Sequence, residues 1–425
     1  MNLFLLTIGT RGDVQPFVAL GRALQRLGHE VTVCTSSGFG RFVEEHGLRY
    51  AHLNNDILDL VDSEAGRKAM GGAGPLDSLR WIVEAARLFK PIFRRALAEE
   101  WEAARGAEAI IYHPQAVGGY HIAEALGIPG IMADPLPTWV PTAAFPNLVL
   151  PDLKLGGWYN RLTYRMMPVL TRAMYGSVVT RWRREVLGLG RRPLFADELT
   201  RPDGQPMPIL LGFSPSVVPR PPDWPANVEV TGYWILDEEA DWEPPSGLRE
   251  FLDAGPPPVF VGFGSMAGRD PARTTRIVLE ALNRAGQRGV IATGWGGLGP
   301  DDAPADVFVV DSVPYDWLFP RVAAVVHHGG AGTTAAGLRA GRPSILCPFV
   351  ADQPFWGRRV ASLGAGPPPI PQSRLNAIDL AAAIRVAITD DRIRERAANL
   401  GDQLRGEDGA ATAAALINRS LAGQS

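Results

Sequence analysis

HHGGAGTTAAGLRAGRPSILCPFVADQPFWG, His327 to Gly357, is the stretch whose reading decides the fold. An apolar strand-like run, Val322 to Val326, precedes it. Glycines then take over where the chain must turn, and after Thr333 the residues are small and helix-compatible. A strand, a glycine-rich turn and a helix N-terminus make an anion site, because backbone N–H groups face outward there and the helix dipole adds positive potential. His327 or His328 supplies one more donor. A second apolar run, Ser344 to Pro348, leads to Asp352 and Gln353, a carboxylate and an amide suited to the hydroxyls of a sugar. The stretch reads as a site for a diphosphate carrying a sugar.

Outward from it, the pattern of apolar strands and intervening helices recurs. Val259–Gly264, Val290–Thr293, Val307–Val310, Ala323–His327 and Ser344–Cys347 are five strand candidates. Near the start, Asn2–Ile8 reads as a buried strand and Pro16–Leu27 as a helix ended by Gly28. Val31–Cys34 is the next strand, and such βαβ units imply right-handed crossovers in a parallel sheet. Ala109–Tyr112 and Ile128–Met132 are further strands, with a helix over Gly119–Leu126 between them. Two doubly wound α/β domains follow, with ligands at the carboxyl ends of the strands and a cleft between the halves. Proline-rich stretches at Pro215–Pro225 and Pro244–Pro258 mark the boundary. The expected division is 1–215, a linker over 216–240, and 241–405. The insertion Asn54–Leu79, with Gly71, Gly72 and Gly74, is expected to be mobile.

Composition bounds the function. At 425 residues the chain holds two full cores. A net charge of −3 argues against a nucleic-acid partner. The two cysteines, Cys34 and Cys347, sit in apolar runs and read as buried small hydrophobes; their spacing excludes a zinc knuckle. No apolar run approaches the ~18–20 residues of a membrane span, and MNLFLLTIG is too short and lacks the basic start of a signal peptide. The expected location is cytoplasmic. Lysine occurs only at Lys68, Lys90 and Lys154, so the second half has none for a pyridoxal Schiff base. From Lys154 to Arg192, nine basic residues and several aromatics accompany a single acid, Glu185. Ordinary amphipathic packing with solvated arginines is the expectation there, and peripheral docking on an anionic membrane is the alternative.

The His327–Gly357 spacing resembles the donor-binding signature of UDP-dependent glycosyltransferases of the GT-B fold. GTRGDVQPFVAL (Gly9–Leu20) is similar to the N-terminal motif of sterol 3-beta-glucosyltransferases and of bacterial natural-product glycosyltransferases. AFPN (Ala144–Asn147), GGWYNRLTY (Gly156–Tyr164), RWRREVLGL (Arg181–Leu189), VTGYW (Val230–Trp234), VFVGFGSM (Val259–Met266), GWGGL (Gly294–Leu298) and VPYDWLF (Val313–Phe319) match in order. The resemblance covers nearly the whole chain. It implies an inverting transfer of a hexose, glucose first, from a UDP-sugar to a sterol or terpenoid hydroxyl. A polyketide or glycopeptide acceptor, with a deoxysugar donor, is the alternative. It also implies that a final helix within 406–425 crosses back onto the first domain.

The resemblance implies roles for single residues. Asp13, expected in the loop after the first strand, is the base. Plant members place a histidine near this position, and none occurs in Gly9–Pro16. The bland alternative is a turn aspartate that caps the next helix. His113 ends another strand and is a possible helper. In the second domain Ser265 and His327 contact the diphosphate, with Gly330, Gly332 and Thr333 forming the turn, while His328 points elsewhere. Ser312 stands where many plant relatives stack a tryptophan on uracil; Trp295 or Tyr315 is the candidate substitute, with an ordinary core or rim aromatic the alternative, and Val313 offers backbone hydrogen bonds to the base. Asp352 and Gln353 read the sugar. No Asp-x-Asp triplet occurs, so no essential metal is expected and no cofactor beyond the UDP-sugar co-substrate.

Overall fold

A computed structural model describes residues 1–56, 59, 90–192, 197–236, 242–264, 270–293 and 303–423. The chain divides into two units. The first comprises residues 1–215, 219–236 and 408–425; the second comprises 216–218 and 237–407.

Seven parallel strands form the sheet of the first unit. They are β1 (Asn2–Leu6), β2 (Glu30–Ser36), β3 (Arg49–Leu53), β4 (Ala109–Tyr112), β5 (Gly130–Asp134), β6 (Ile209–Leu211) and β7 (Val228–Val230), in the order β3-β2-β1-β4-β5-β6-β7. β1 carries the fully buried run Leu3 to Leu6 and pairs on both sides, with β2 and with β4. A strand buried on both faces must be apolar throughout, which is why it reads as a run and not as an alternation. β3 and β6 escape the sequence reading: Arg49 and His52 interrupt one, and the other has only three residues. β7 lies inside the stretch expected to be a linker. It pairs with β6, so that stretch belongs to the first sheet.

Helix α1 runs from Arg11 to Arg26 and begins a turn earlier than Pro16 suggested. A capping box is the reason: Thr10 is the N-cap, and Asp13, at the third helical position, accepts from the Thr10 backbone N–H at 2.7 Å. Asp13 is therefore on the helix and not in the preceding loop. The buried face of α1 carries Val14, Phe17, Leu20 and Leu24, which share a core with Leu3, Leu5 and Ile111 of the sheet. Helix α2 spans Gly118–Leu126 and α3 spans Gly157–Glu185.

The second unit repeats the plan with β8 (Val259–Gly262), β9 (Gly289–Ala292), β10 (Val307–Val310), β11 (Ala324–His327) and β12 (Ser344–Leu346), all parallel, in the order β10-β9-β8-β11-β12. Helices α4 (Pro271–Ala285) and α7 (Ala377–Thr389) cover one face, where Val278, Leu282, Leu380 and Ile384 meet Val259, Val261 and Val326. Between them in sequence lie α5 (Ala331–Arg339) and α6 (Gln353–Leu363). Leu318, Phe319 and Val322 cover the other face.

The last helix, α8 (Gly409–Ala422), belongs to the first unit. Ala413, Ala414, Ile417 and Leu421 join the core that α1 covers. Ile417→Ala is expected to destabilise the protein by about 3 kcal/mol, the usual cost of a buried aliphatic truncation. Ile378→Ala, at a position 64% exposed, should change stability by less than about 0.5 kcal/mol. Chemical unfolding midpoints of the two variants make the comparison, and equal effects would refute the packing of α8.

Candidate functional site

In the first unit the strand order reverses between β1 and β4, which makes the carboxyl ends of these two strands the natural ligand crevice. Asp13 follows β1, His113 follows β4, and Asp134 ends β5, the next strand along. One carboxylate oxygen of Asp13, Oδ2, accepts from both the backbone N–H and the hydroxyl of Thr10, at 2.7 and 3.0 Å. Oδ1 has no hydrogen-bond partner among the described residues. Gly9 makes room for this arrangement. Its φ is +141°, and a Cβ there would stand 2.2 Å from Oδ2. The capping and catalytic readings of Asp13 are thus compatible, since capping occupies one oxygen and leaves the other.

His113 is fully buried. Its Nδ1 accepts from the Gln115 N–H at 3.2 Å, which leaves Nε2 to carry the proton. Nε2 lies 3.6 Å from Asp134 Oδ1, within ion-pair range and too long for a direct hydrogen bond. Asp134 is itself held by the Leu136 N–H at 2.8 Å and the Thr138 hydroxyl at 2.7 Å. Burial lifts the Asp13 carboxyl above the ordinary carboxylate range; the nearby His113 and the Thr10 hydrogen bonds oppose the lift, and Asp134 adds to it. Burial pulls His113 down, but Asp134 and Asp13 outweigh it and hold the imidazole above its usual value. The site is a coupled acid–histidine–acid group around one available carboxylate oxygen. Asp134 was not singled out in the sequence: it ends a strand expected to stop at Met132. His121 plays no part, because its ring sits against the Arg183 guanidinium at 2.8 Å, inside the α2–α3 contact.

In the second unit the reversal falls between β8 and β11. Here the His327–Thr333 turn stands beside Gly264, just after β8. Gly330 caps α5 without any side-chain hydrogen bond, so the N–H groups of Ala331, Gly332 and Thr333 begin the helix with no side-chain cap. The two histidines differ in burial. His327 is wholly buried, and its Nδ1 accepts from the Gly329 N–H at 3.1 Å. His328 is partly exposed and lies between Gly264 and Gly330; a Cβ on Gly330 would stand 2.6 Å from its Nε2. Burial holds both imidazoles neutral. It pushes His327 well below its usual range and His328 to about 4, where the Gly262 carbonyl resists the shift.

Asp352 caps α6 and accepts from the indole N–H of the fully buried Trp356 at 2.8 Å. Gln353 uses its amide oxygen to bind the Phe349 and Val350 N–H groups at 2.8 and 3.3 Å. Both residues therefore shape the loop after β12, where Ala351 takes a left-handed φ of +58°. The Gln353 amide nitrogen has no partner among the described residues. Val313 is buried in the core, and neither of its backbone groups bonds to another described residue. Tyr315 stacks on Phe319 at 4.4 Å, a core contact. Ser265, Trp295 and most of the Asn54–Leu79 insertion lie outside the described residues.

Comparison with known proteins agrees with this layout. Residues 3–145 match the N-terminal domain of glycosyltransferase family 28, and residues 296–414 match the erythromycin biosynthesis protein CIII-like C-terminal domain. The chain is 38% identical to a sterol 3-beta-glucosyltransferase of Emericella nidulans, over 99% of this chain and 30% of that protein. It is 40% identical to one of Arabidopsis thaliana, over 97% of this chain and 64% of that protein. The chain thus spans less than two thirds of the length of either relative. Among solved structures, a calicheamicin glycosyltransferase superposes with a TM-score of 0.71 at 17% identity, covering 99% of this chain and 98% of that one. A kitacinnamycin glycosyltransferase gives 0.67 at 22% identity, covering 98% of each. With both glycosyltransferase domain types matched in chain order, and the same parallel-sheet plan found in each unit, the chain has the GT-B fold.

Proposed function

We propose that this glycosyltransferase moves glucose from UDP-glucose to the hydroxyl of a sterol-type acceptor, with inversion to a beta-glycoside. The observation that carries the reading is the divided Asp13 carboxylate: one oxygen is pinned by Thr10 and the other is available to take a proton. The acceptor hydroxyl gives its proton to Asp13 Oδ1 as its oxygen bonds to the sugar carbon. The bond between that carbon and the diphosphate oxygen breaks, and UDP leaves with the electron pair. His113 and Asp134 set the charge balance around Asp13. Likeness over nearly the whole chain to sterol glucosyltransferases supports glucose and a sterol.

In the second unit, the uncapped N-terminus of α5 and the neutral His328 are assigned to the diphosphate. The Gln353 amide and Asp352 read sugar hydroxyls, and the backbone of Val313 pairs with the base. His327, which the resemblance puts on the phosphate, is assigned a structural role, because its ring is enclosed. No metal is required by this reading, so EDTA should leave transfer intact, and loss of activity on chelation would contradict it.

Asp13→Asn should lower transfer by roughly two orders of magnitude or more, the scale of a lost general base, with UDP affinity unchanged. Once protonated, His113 lowers the Asp13 carboxyl, and His113→Gln removes that influence. The acid limb of the kcat/KM profile should then move to higher pH. A uniform fall in rate with an unmoved limb would show that His113 acts by another route.

His328→Ala should weaken UDP binding by about tenfold or more, since a hydrogen bond to a charged group contributes about 1.5–3 kcal/mol. His327→Ala should instead lower the unfolding midpoint, and calorimetric titration with UDP separates the two. Both imidazoles refuse protons in the folded state that the unfolded chain accepts below about pH 6.5. Stability should therefore decline as pH falls from there towards about 4, the value for His328. His328→Ala should flatten part of that decline.

A further inference from the structure

The basic, aromatic segment expected to pack as an ordinary amphipathic helix leaves one run of its apolar side chains exposed. Fourteen large hydrophobic residues are exposed among the described ones, and nine of them fall between Val149 and Met174. Trp158 is 65% exposed and Val169 59%. Single exposed apolar residues need no explanation, but a contiguous patch does.

The arrangement on α3 is ordered. At roughly 100° per residue, Trp158, Leu162, Met166, Val169, Leu170 and Met174 share a sector of about 160°. Arg161, Arg165 and Arg172 fall within about 40° of one another along one edge of that sector. α3 carries no acid before Glu185. Its inner side, with Thr163, Tyr164, Val178, Val179 and Trp182, is buried.

We propose that this face docks on an anionic lipid bilayer, with α3 lying in the interface, its apolar sector among the acyl chains and its arginine edge at the headgroups. Charge selects this occupant. α3 itself brings no acid to this edge; Arg161 is paired with Asp223 at 2.9 Å, and Arg165 and Arg172 are the cations that complement a surface apolar within and negative at the boundary. A second copy of the chain would bring arginine edge against arginine edge, which repels. The helix cannot cross the bilayer, since no described helix is long and apolar enough to do so.

The helix is also tied to the candidate acceptor site. Tyr164 donates its hydroxyl to the Pro137 carbonyl at 3.3 Å, and the Thr163 hydroxyl accepts from the Asn147 N–H at 2.8 Å. Asn147 in turn donates to the Thr138 carbonyl at 2.7 Å, and the Thr138 hydroxyl binds Asp134. A continuous chain of hydrogen bonds thus joins the docking face to the loop that holds Asp134. That the bilayer supplies the acceptor rests on the sterol reading; the docking itself does not.

The test is co-sedimentation of the full chain with sterol-free vesicles of phosphatidylcholine, with and without phosphatidylserine. Binding is expected only with phosphatidylserine and should be released by high salt. Arg165→Gln should weaken it by about fivefold, the contribution of one basic residue, and Trp158→Glu by on the order of tenfold. Transfer to a detergent-dispersed sterol should be unchanged in both variants, which shows that they fold. Absence of binding by the unmodified chain would overturn the proposal, as would variants that bind equally well. A dimer that Trp158→Glu converts to monomer would also overturn it, by giving the face to a second copy. Vesicle binding without any transfer to sterol would support docking and remove the sterol reading.

Discussion

The constraint on which everything else depends is the parallel pairing of β1 with β4 and of β8 with β11. A parallel strand can be reached only by a crossover, and where the crossovers change direction two neighbouring strands send their following loops apart. The opening left there is lined by whatever the chain places just after those strands. In the first unit these residues are Asp13 and His113; in the second they are Gly264 and the His327–Thr333 turn. A glycine-rich turn at any other point of a sheet would have no reason to face a ligand.

Within that frame each site is held by hydrogen bonds that leave one group over. Thr10 takes one oxygen of Asp13, and Gly9 lets the carboxylate sit against the backbone. Gln115 fixes the tautomer of His113 and turns Nε2 toward Asp134. The Phe349 and Val350 N–H groups take the amide oxygen of Gln353. Each fixed bond removes rotational freedom before any ligand arrives, which is how a site avoids the ordering cost of binding. Burial then supplies the electrostatics. It raises the Asp13 carboxyl above its ordinary range and keeps the imidazoles of His327 and His328 neutral.

The apolar face of α3 shows the opposite logic. Most helices in both units bury one stripe against a sheet, as α1 does with Phe17, Leu20 and Leu24. α3 buries only part of its length and exposes a stripe as apolar as the buried one. This helix of 29 residues is held by the 137–147 segment and by α2, and away from those contacts its apolar side chains are exposed.

Sequence alone determined the strands that are buried on both faces, because they must be continuous apolar runs, and the glycine-rich turn after β11, where Gly329 takes a φ of +92°. It also determined the family, through motifs spread over nearly the whole chain. It could not find β3 or β6, whose residues become strand-like only when paired. It started α1 at Pro16, because proline favours a first turn, while the reciprocal bonds of Thr10 and Asp13 start the helix earlier. Asp134 was invisible, since nothing in its neighbourhood marks it until β5 lies beside β4 and brings it within 3.6 Å of His113. The choice between His327 and His328 was likewise out of reach. Adjacent residues at a strand end point to opposite sides, and only the tertiary packing decides which side is core.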